Sequence, residues 1–194
     1  MKQSSSRSKS ALFSTWLIAL VVMKSLPVFA HQNDPRLPAL FEALQTASNP
    51  LTASKTEQEI WRIWHDSPND EAHATMVAAR QALDQGDTET AIDKLNELVQ
   101  RNPDFAEAWN QRAIVLYVIG DFEGSLRDVN RTVALEPNHF GAYSGMGQCY
   151  IRLDQPEQAL EAFETALDIH PWLANIRQQI DMLRAYVNSR NTPI

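Results

Sequence analysis

The chain has 194 residues, 44% of them apolar, and carries 24 aspartates and glutamates against 17 lysines and arginines, a net charge of −7. That apolar content excludes a disordered chain. The acidic balance argues against nucleic acid and anionic lipid as partners, while a basic peptide would be attracted. The lone cysteine, Cys149, excludes an internal disulfide.

Residues 1–30 predict a secretory signal peptide. Lys2, Arg7 and Lys9, with no acid among them, precede an apolar run from Ala11 to Met23, and Val28 and Ala30 supply a small-residue cleavage site before His31. A bilayer span needs about 20 apolar residues. The shorter run therefore predicts cleavage rather than a retained anchor, with no membrane insertion afterwards and export to a periplasm or comparable space. Cleavage removes four positive charges, Lys2, Arg7, Lys9 and Lys24, from a chain of −7 and leaves −11.

Residues 31–71 predict two helices. One follows Pro38 and carries Phe41 and Leu44; the other covers 54–64 with Ile60, Trp61, Ile63 and Trp64, and Asn49-Pro50 parts them. Two placements remain open: a degenerate fourth repeat covering the start of the array described next, or a looser pair whose tryptophans dock on the first clear unit. A rival reading leaves Trp61 and Trp64 as an exposed apolar patch through which the protein self-associates as a homo-oligomer.

Pro103, Pro137 and Pro171 are evenly spaced and close three units of equal length, 72–105, 106–139 and 140–173. Their columns agree. Each unit has an early large or β-branched residue (Thr75, Trp109, Tyr143) and a small residue four on (Ala79, Ala113, Gly147). A turn follows (Gly86-Asp87, Gly120-Asp121, Asp154-Gln155-Pro156), then a second small residue (Ala91, Ser125, Ala159). This pattern predicts helical hairpins whose small residues allow close approach, stacked because no hairpin buries its apolar face alone. Gly141, Gly145 and Gly147 fall within a predicted helix, where they permit close packing. Residues 174–194 close the array: Ile176, Ile180, Leu183 and Val187 mark an amphipathic capping helix that frays from Asn188.

Ala106-Glu107-Ala108-Trp109, Gly120-Asp121-Phe122 and Ala134-Leu135-Glu136-Pro137-Asn138 together resemble the tetratricopeptide repeat, and the likeness extends over about 72–173. Thr75, Ser125 and Asp154 depart from its usual aromatic, alanine and glycine. The resemblance implies an all-α superhelix of stacked antiparallel hairpins with a C-terminal capping helix. It also implies that the first helices of successive units line a concave groove that holds a partner peptide or helix. Matching positions here are Met76, Arg80, Leu83, Asn110, Ile114, Tyr117, Ser144, Gln148, Ile151 and Arg152. The lysines with which some members hold chaperone tails are missing from these positions, which disfavours that role.

Arg112 occupies an inward place where Ala78 and Met146 stand in the flanking units, so its guanidinium needs a partner. Asp128, on the second helix of the same hairpin, is the expected one, a pairing that related repeats also carry. Chemistry is otherwise sparse. The five histidines show no i, i+4 metal spacing, and His139 and His170 lie at predicted helix ends, where a cationic ring suits the negative end of a helix dipole. His31, as a mature amino terminus, offers an amine and an imidazole to copper, on position alone. No glycine-rich phosphate loop appears. The expected protein is an exported, non-enzymatic scaffold without a cofactor or metal that binds another protein; an enzyme or metal carrier is the alternative from a different class.

Overall fold

The computed structural model describes residues 34–191, and the predicted signal peptide and His31, with its copper reading, lie outside them. Among the described residues are nine α-helices: α1 (Leu37–Gln45), α2 (Pro50–Trp64), α3 (Asp70–Asp84), α4 (Thr88–Arg101), α5 (Ala106–Ile119), α6 (Phe122–Leu135), α7 (Phe140–Arg152), α8 (Pro156–Ile169) and α9 (Ala174–Asn191). Helices α3/α4, α5/α6 and α7/α8 form three hairpins, α4 packs on α5, α6 on α7, and α9 packs on α8.

Local chemistry sets the hairpins. Gly86, Gly120 and Asp154, at the same place in successive units, hold φ of +78°, +89° and +54° between the first and second helix. A left-handed φ costs glycine nothing and a short polar side chain little, so the aspartate keeps the turn at the third unit. Asp87 and Asp121 then cap α4 and α6, accepting from Thr90 N at 3.0 Å and Gly124 N at 2.8 Å.

Small residues bring the helices together. Ala79, Ala91, Ala113 and Ala159 are all buried. Gly147 is a case of necessity, because a Cβ there would lie 2.5 Å from the Phe163 ring. Gly145 differs from the packing role expected of it: a Cβ there meets nothing within 4 Å. Ser125, in place of alanine, donates to Ala113 O at 2.8 Å and is satisfied while buried. Cys149 donates to Ser125 Oγ at 3.2 Å, and burial pushes its thiol pKa up.

Helix α9 sits as another first helix. Ile176 and Ile180, one period after Ala142 and Met146, are buried and pack with Ala159 and Phe163. It runs to Asn191 rather than fraying at Asn188. No helix among the described residues is long and apolar enough to cross a membrane.

The amino-terminal hairpin does not follow the array's rule. Helix α2 starts at Pro50, earlier than predicted, because Asn49 caps it by accepting from Thr52 N at 3.0 Å and proline suits the first helical position. The α1/α2 pair buries Leu37, Leu44, Ile60, Ile63 and Trp64 against Phe140, with Ile169, Trp172 and Leu173 alongside. Its tryptophans therefore dock where the second unit meets the third, not on the first. Trp64 is only 2% exposed and Trp61 half-buried, so they do not form the exposed patch that the rival reading drew on.

Candidate functional site

Helices α5 and α7, the first helices of the second and third hairpins, lie against each other, and α9 follows in the same frame. Between α5 and α7 lies a cavity of about 170 Å³, lined by Ala113, Ile114, Tyr117, Val129, Gly141 and Gly145, with Asn110, Ser125 and Gln148 as polar edges and Trp61 of α2 as a wall. The indole stands over Gly141, where a Cβ would lie 2.6 Å from its ring. Glycine at 141 thus admits the tryptophan, and open space at Gly145 deepens the cavity.

The ten groove positions divide. Ile114, Ile151 and Arg152 are exposed, while Arg80, Leu83, Tyr117, Ser144 and Gln148 are half-buried. Met76 is a correction: it is 0% exposed and packs with Ala79, Leu95, Leu98 and Ala108, so it belongs to the core of the first hairpin and its seam with α5. Asn110 is 5% exposed and gives its amide to Glu107 Oε2 at 3.0 Å. Gln148 donates to Gln179 of α9 at 2.6 Å, and Ser144 to Phe140 O at 2.9 Å. With those amide nitrogens engaged, Asn110 and Gln148 present oxygens that accept hydrogen bonds.

Val118, Met182 and Tyr186 also stand exposed, at 56%, 57% and 47%. Met182 and Tyr186 lie one period after Gln148 and Arg152, so α9 carries the groove columns one helix further. Extending the repeat frame past Leu173 finds them.

Arg112 and Asp128 meet in a bidentate pair, Nε to Oδ2 at 2.6 Å and Nη2 to Oδ1 at 2.8 Å. Arg112 Nη1 also donates to Asn96 of α4 at 3.0 Å, and the guanidinium lies 4.8 Å from the Trp109 ring, tying the first two hairpins together.

A buried polar junction joins the amino-terminal hairpin to the array, and nothing in the repeat pattern announces it. Glu107, in the first turn of α5 and 1% exposed, accepts from Gln111 at 2.6 Å, Asn110 at 3.0 Å and His139 Nε2 at 3.1 Å, with His65 Nε2 at 3.2 Å. Burial pushes its carboxyl up, but the hydrogen bonds from His139 and His65 outweigh that and bring it down to about 2. His139 is the amino-terminal cap of α7, its Nδ1 accepting from Ala142 N at 3.0 Å. The ring therefore serves as an acceptor at the positive end of a helix, not as a cation at the negative end as expected. Trp64 stacks on that ring at 4.1 Å and donates to Glu136 Oε2 at 3.3 Å; burial pushes the Glu136 carboxyl up. His170, also buried, lies 3.3 Å from Glu57 of α2. Among the described residues no group of three or more histidines, cysteines or acids could hold a metal ion.

Residues 76–139 and 141–172 match two family models, both described as tetratricopeptide repeat. A TPR repeat-containing protein of Rhizobium etli is 34% identical over 148 residues, 76% of this chain and 72% of that one. The chain belongs to the tetratricopeptide repeat family. Its fold is similar to that of the first TPR of Spaghetti (RPAP3), solved with an HSP90 peptide (TM-score 0.59, 21% identity, 60% of this chain and 93% of the other). It is also similar to MamA (TM-score 0.59, 19% identity, 82% and 86%). The chain spans 15% and 39% of two longer curated members, from Dictyostelium discoideum and Saccharomyces cerevisiae.

Proposed function

We propose that this tetratricopeptide repeat protein is an exported, non-enzymatic scaffold that holds a segment of a partner protein against α5, α7 and α9. The observation that carries this reading is the run of exposed apolar side chains on the first helices, Ile114, Val118, Ile151, Met182 and Tyr186, with Ile114 also lining a cavity edged by the amides of Asn110 and Gln148. Solvent-exposed apolar area of this kind, rimmed by polar groups, is what a docking groove presents. The likeness to a repeat domain solved with a bound peptide is consistent with it. Export rests on the order of residues 1–30, basic, apolar, then small.

The test is capture of partners from the native cell envelope by the purified protein and by its variants. Tyr117→Ala and Ile151→Ala should each lose at least tenfold in capture with the melting temperature nearly unchanged. Arg127→Ala, on the exposed outer helix α6, should lose nothing. Equal capture by all three variants would contradict the groove reading.

A further inference from the structure

Helix α2 meets successive units of the array at equivalent places. Trp64 donates to Glu136, and Glu57 lies 3.3 Å from His170. Glu136 and His170 are one repeat period apart, and Glu57 precedes Trp64 by seven residues. That stretch of helix rises about 10 Å, in step with the roughly 8–10 Å between packed helices. Glu107 and Gly141, again one period apart, receive His65 and Trp61. Helix α2 therefore runs along the edge of the stack from the second unit to the third. Beyond it, Gln45 of α1 is anchored on the carbonyl oxygens of Asp168 and Ile169.

This path is not that of a simple cap. A hairpin that only closed the stack would cover its open end at α3, yet Ala74 and Gln81 stay exposed there, where their counterparts Ala108, Ala142, Val115 and Cys149 are buried. The path instead supplies the groove with a wall. Trp61 comes from outside the repeats, while the other residues lining the cavity between α5 and α7 belong to α5, α6 and α7. Its indole is fixed from several sides, edge-on to Trp64, His139 and Phe140 at 5.2, 5.5 and 5.4 Å and stacked on His65 at 5.3 Å. A ring so held cannot yield cheaply to a Cβ placed at Gly141, 2.6 Å away.

Resting on the groove reading above, we propose that α2 is a side wall of the partner site, with Trp61 as a specificity-determining residue against which an apolar side chain of the partner packs in the cavity. A tryptophan fixed before the partner arrives loses little freedom on binding, and tryptophan is enriched among the residues that dominate interfaces. Hairpin docking and partner binding share this contact, so each favours the other by the same factor. The amino-terminal hairpin is then part of the binding site, and a repeat array stripped of it would present a different groove.

The experiment is photocrosslinking of the full chain in its native host, with a photoreactive phenylalanine analogue in place of Trp61, of Ile114, or of the exposed Arg62 of α2. The analogue at Trp61 and at Ile114 should give an adduct of the same mass, and at Arg62 none. With the analogue at Ile114, Trp61→Ala and Gly141→Ala should each lower the adduct yield by about tenfold or more, whereas Trp61→Phe, which keeps a ring, should retain it. Gly141→Ala reaches the same contact from the array side, and its result decides if Trp61→Ala melts below the growth temperature. An adduct at Ile114 with none at Trp61, or an undiminished yield at Ile114 in Gly141→Ala, overturns the wall and leaves the groove reading standing. A higher yield at Ile114 in Trp61→Ala would show that the hairpin blocks the site, which overturns the proposal as well. Adducts at neither Trp61 nor Ile114 would remove the groove reading together with the wall.

Discussion

The repeat array and the amino-terminal hairpin are both helical, yet they are held by different physics. In the array, matching columns recur with every unit, and the contacts are small apolar residues against rings and aliphatic chains, as with Gly147 under Phe163. The hairpin shares no column with the surface it covers. It attaches through stacked aromatic rings and a buried carboxylate, with Trp64 on His139 and Glu107 among His139, His65, Asn110 and Gln111. Periodic apolar packing tolerates change one contact at a time, whereas a buried polar junction is stable only when every member is satisfied.

Removing Glu107 tests that contrast most severely. Glu107→Ala leaves His139, Asn110 and Gln111 without their acceptor, and it should cost about 3–5 kcal/mol in urea unfolding. The loss should appear first in tryptophan fluorescence from Trp61 and Trp64, with array helicity in circular dichroism persisting to higher urea. Coincident transitions would show that the hairpin and array are one cooperative unit. The same residue sets a pH dependence. Its folded pKa of about 2 lies below the ordinary 4.5, so its contribution is full above about pH 4.5 and is lost as pH falls through about 2. The difference amounts to roughly 3 kcal/mol. Glu136, raised by burial, acts in the opposite sense, favouring the fold as pH falls into its own range. An acid titration of Glu107→Gln should be flatter than that of the unaltered protein below pH 4.5; an identical slope would assign acid sensitivity to other carboxylates.

Inside the array, Asp128→Ala strands the guanidinium of Arg112, 19% exposed at its side chain, and should cost about 2–3 kcal/mol. A shift of only a few tenths would mean that water or Asn96 replaces the lost partner. A pair of glycines gives the smallest and most local effects. Gly147→Ala forces a Cβ into Phe163 and should destabilise by about 1–3 kcal/mol. Gly145→Ala, with open space around its Cβ, should stabilise α7 by about 0.5–1 kcal/mol while narrowing the groove cavity. Equal effects at the two positions would contradict the packing described for α7.

These differences explain which features the sequence discloses. The hairpins follow from a period, and the Arg112–Asp128 pair from one charged residue in a column of apolar neighbours. Neither needs knowledge of distant contacts. The burial of Glu107 depends on a segment outside the period folding over it, and an acid in the first turn of a helix otherwise reads as solvated. Met76 defeats the column rule because its column closes toward the start of the array: Ser144 on α7 is half-buried, Asn110 on α5 is buried, and Met76 lies fully inside the α3/α5 seam. Met182 and Tyr186 are hidden because the amphipathic pattern of α9 points to the face that caps α8, while its register as another first helix also gives it an exposed face in the groove columns.

The central claim is that the concave face meets a partner protein, and site-specific photocrosslinking in the native host tests it most directly. A photoreactive phenylalanine analogue at Ile114, 42% exposed beside the cavity, should yield a discrete protein adduct. The same analogue at Arg127 on the outer helix α6 should yield none. An adduct at Arg127 with none at Ile114 would contradict the account and move the binding surface to the convex side.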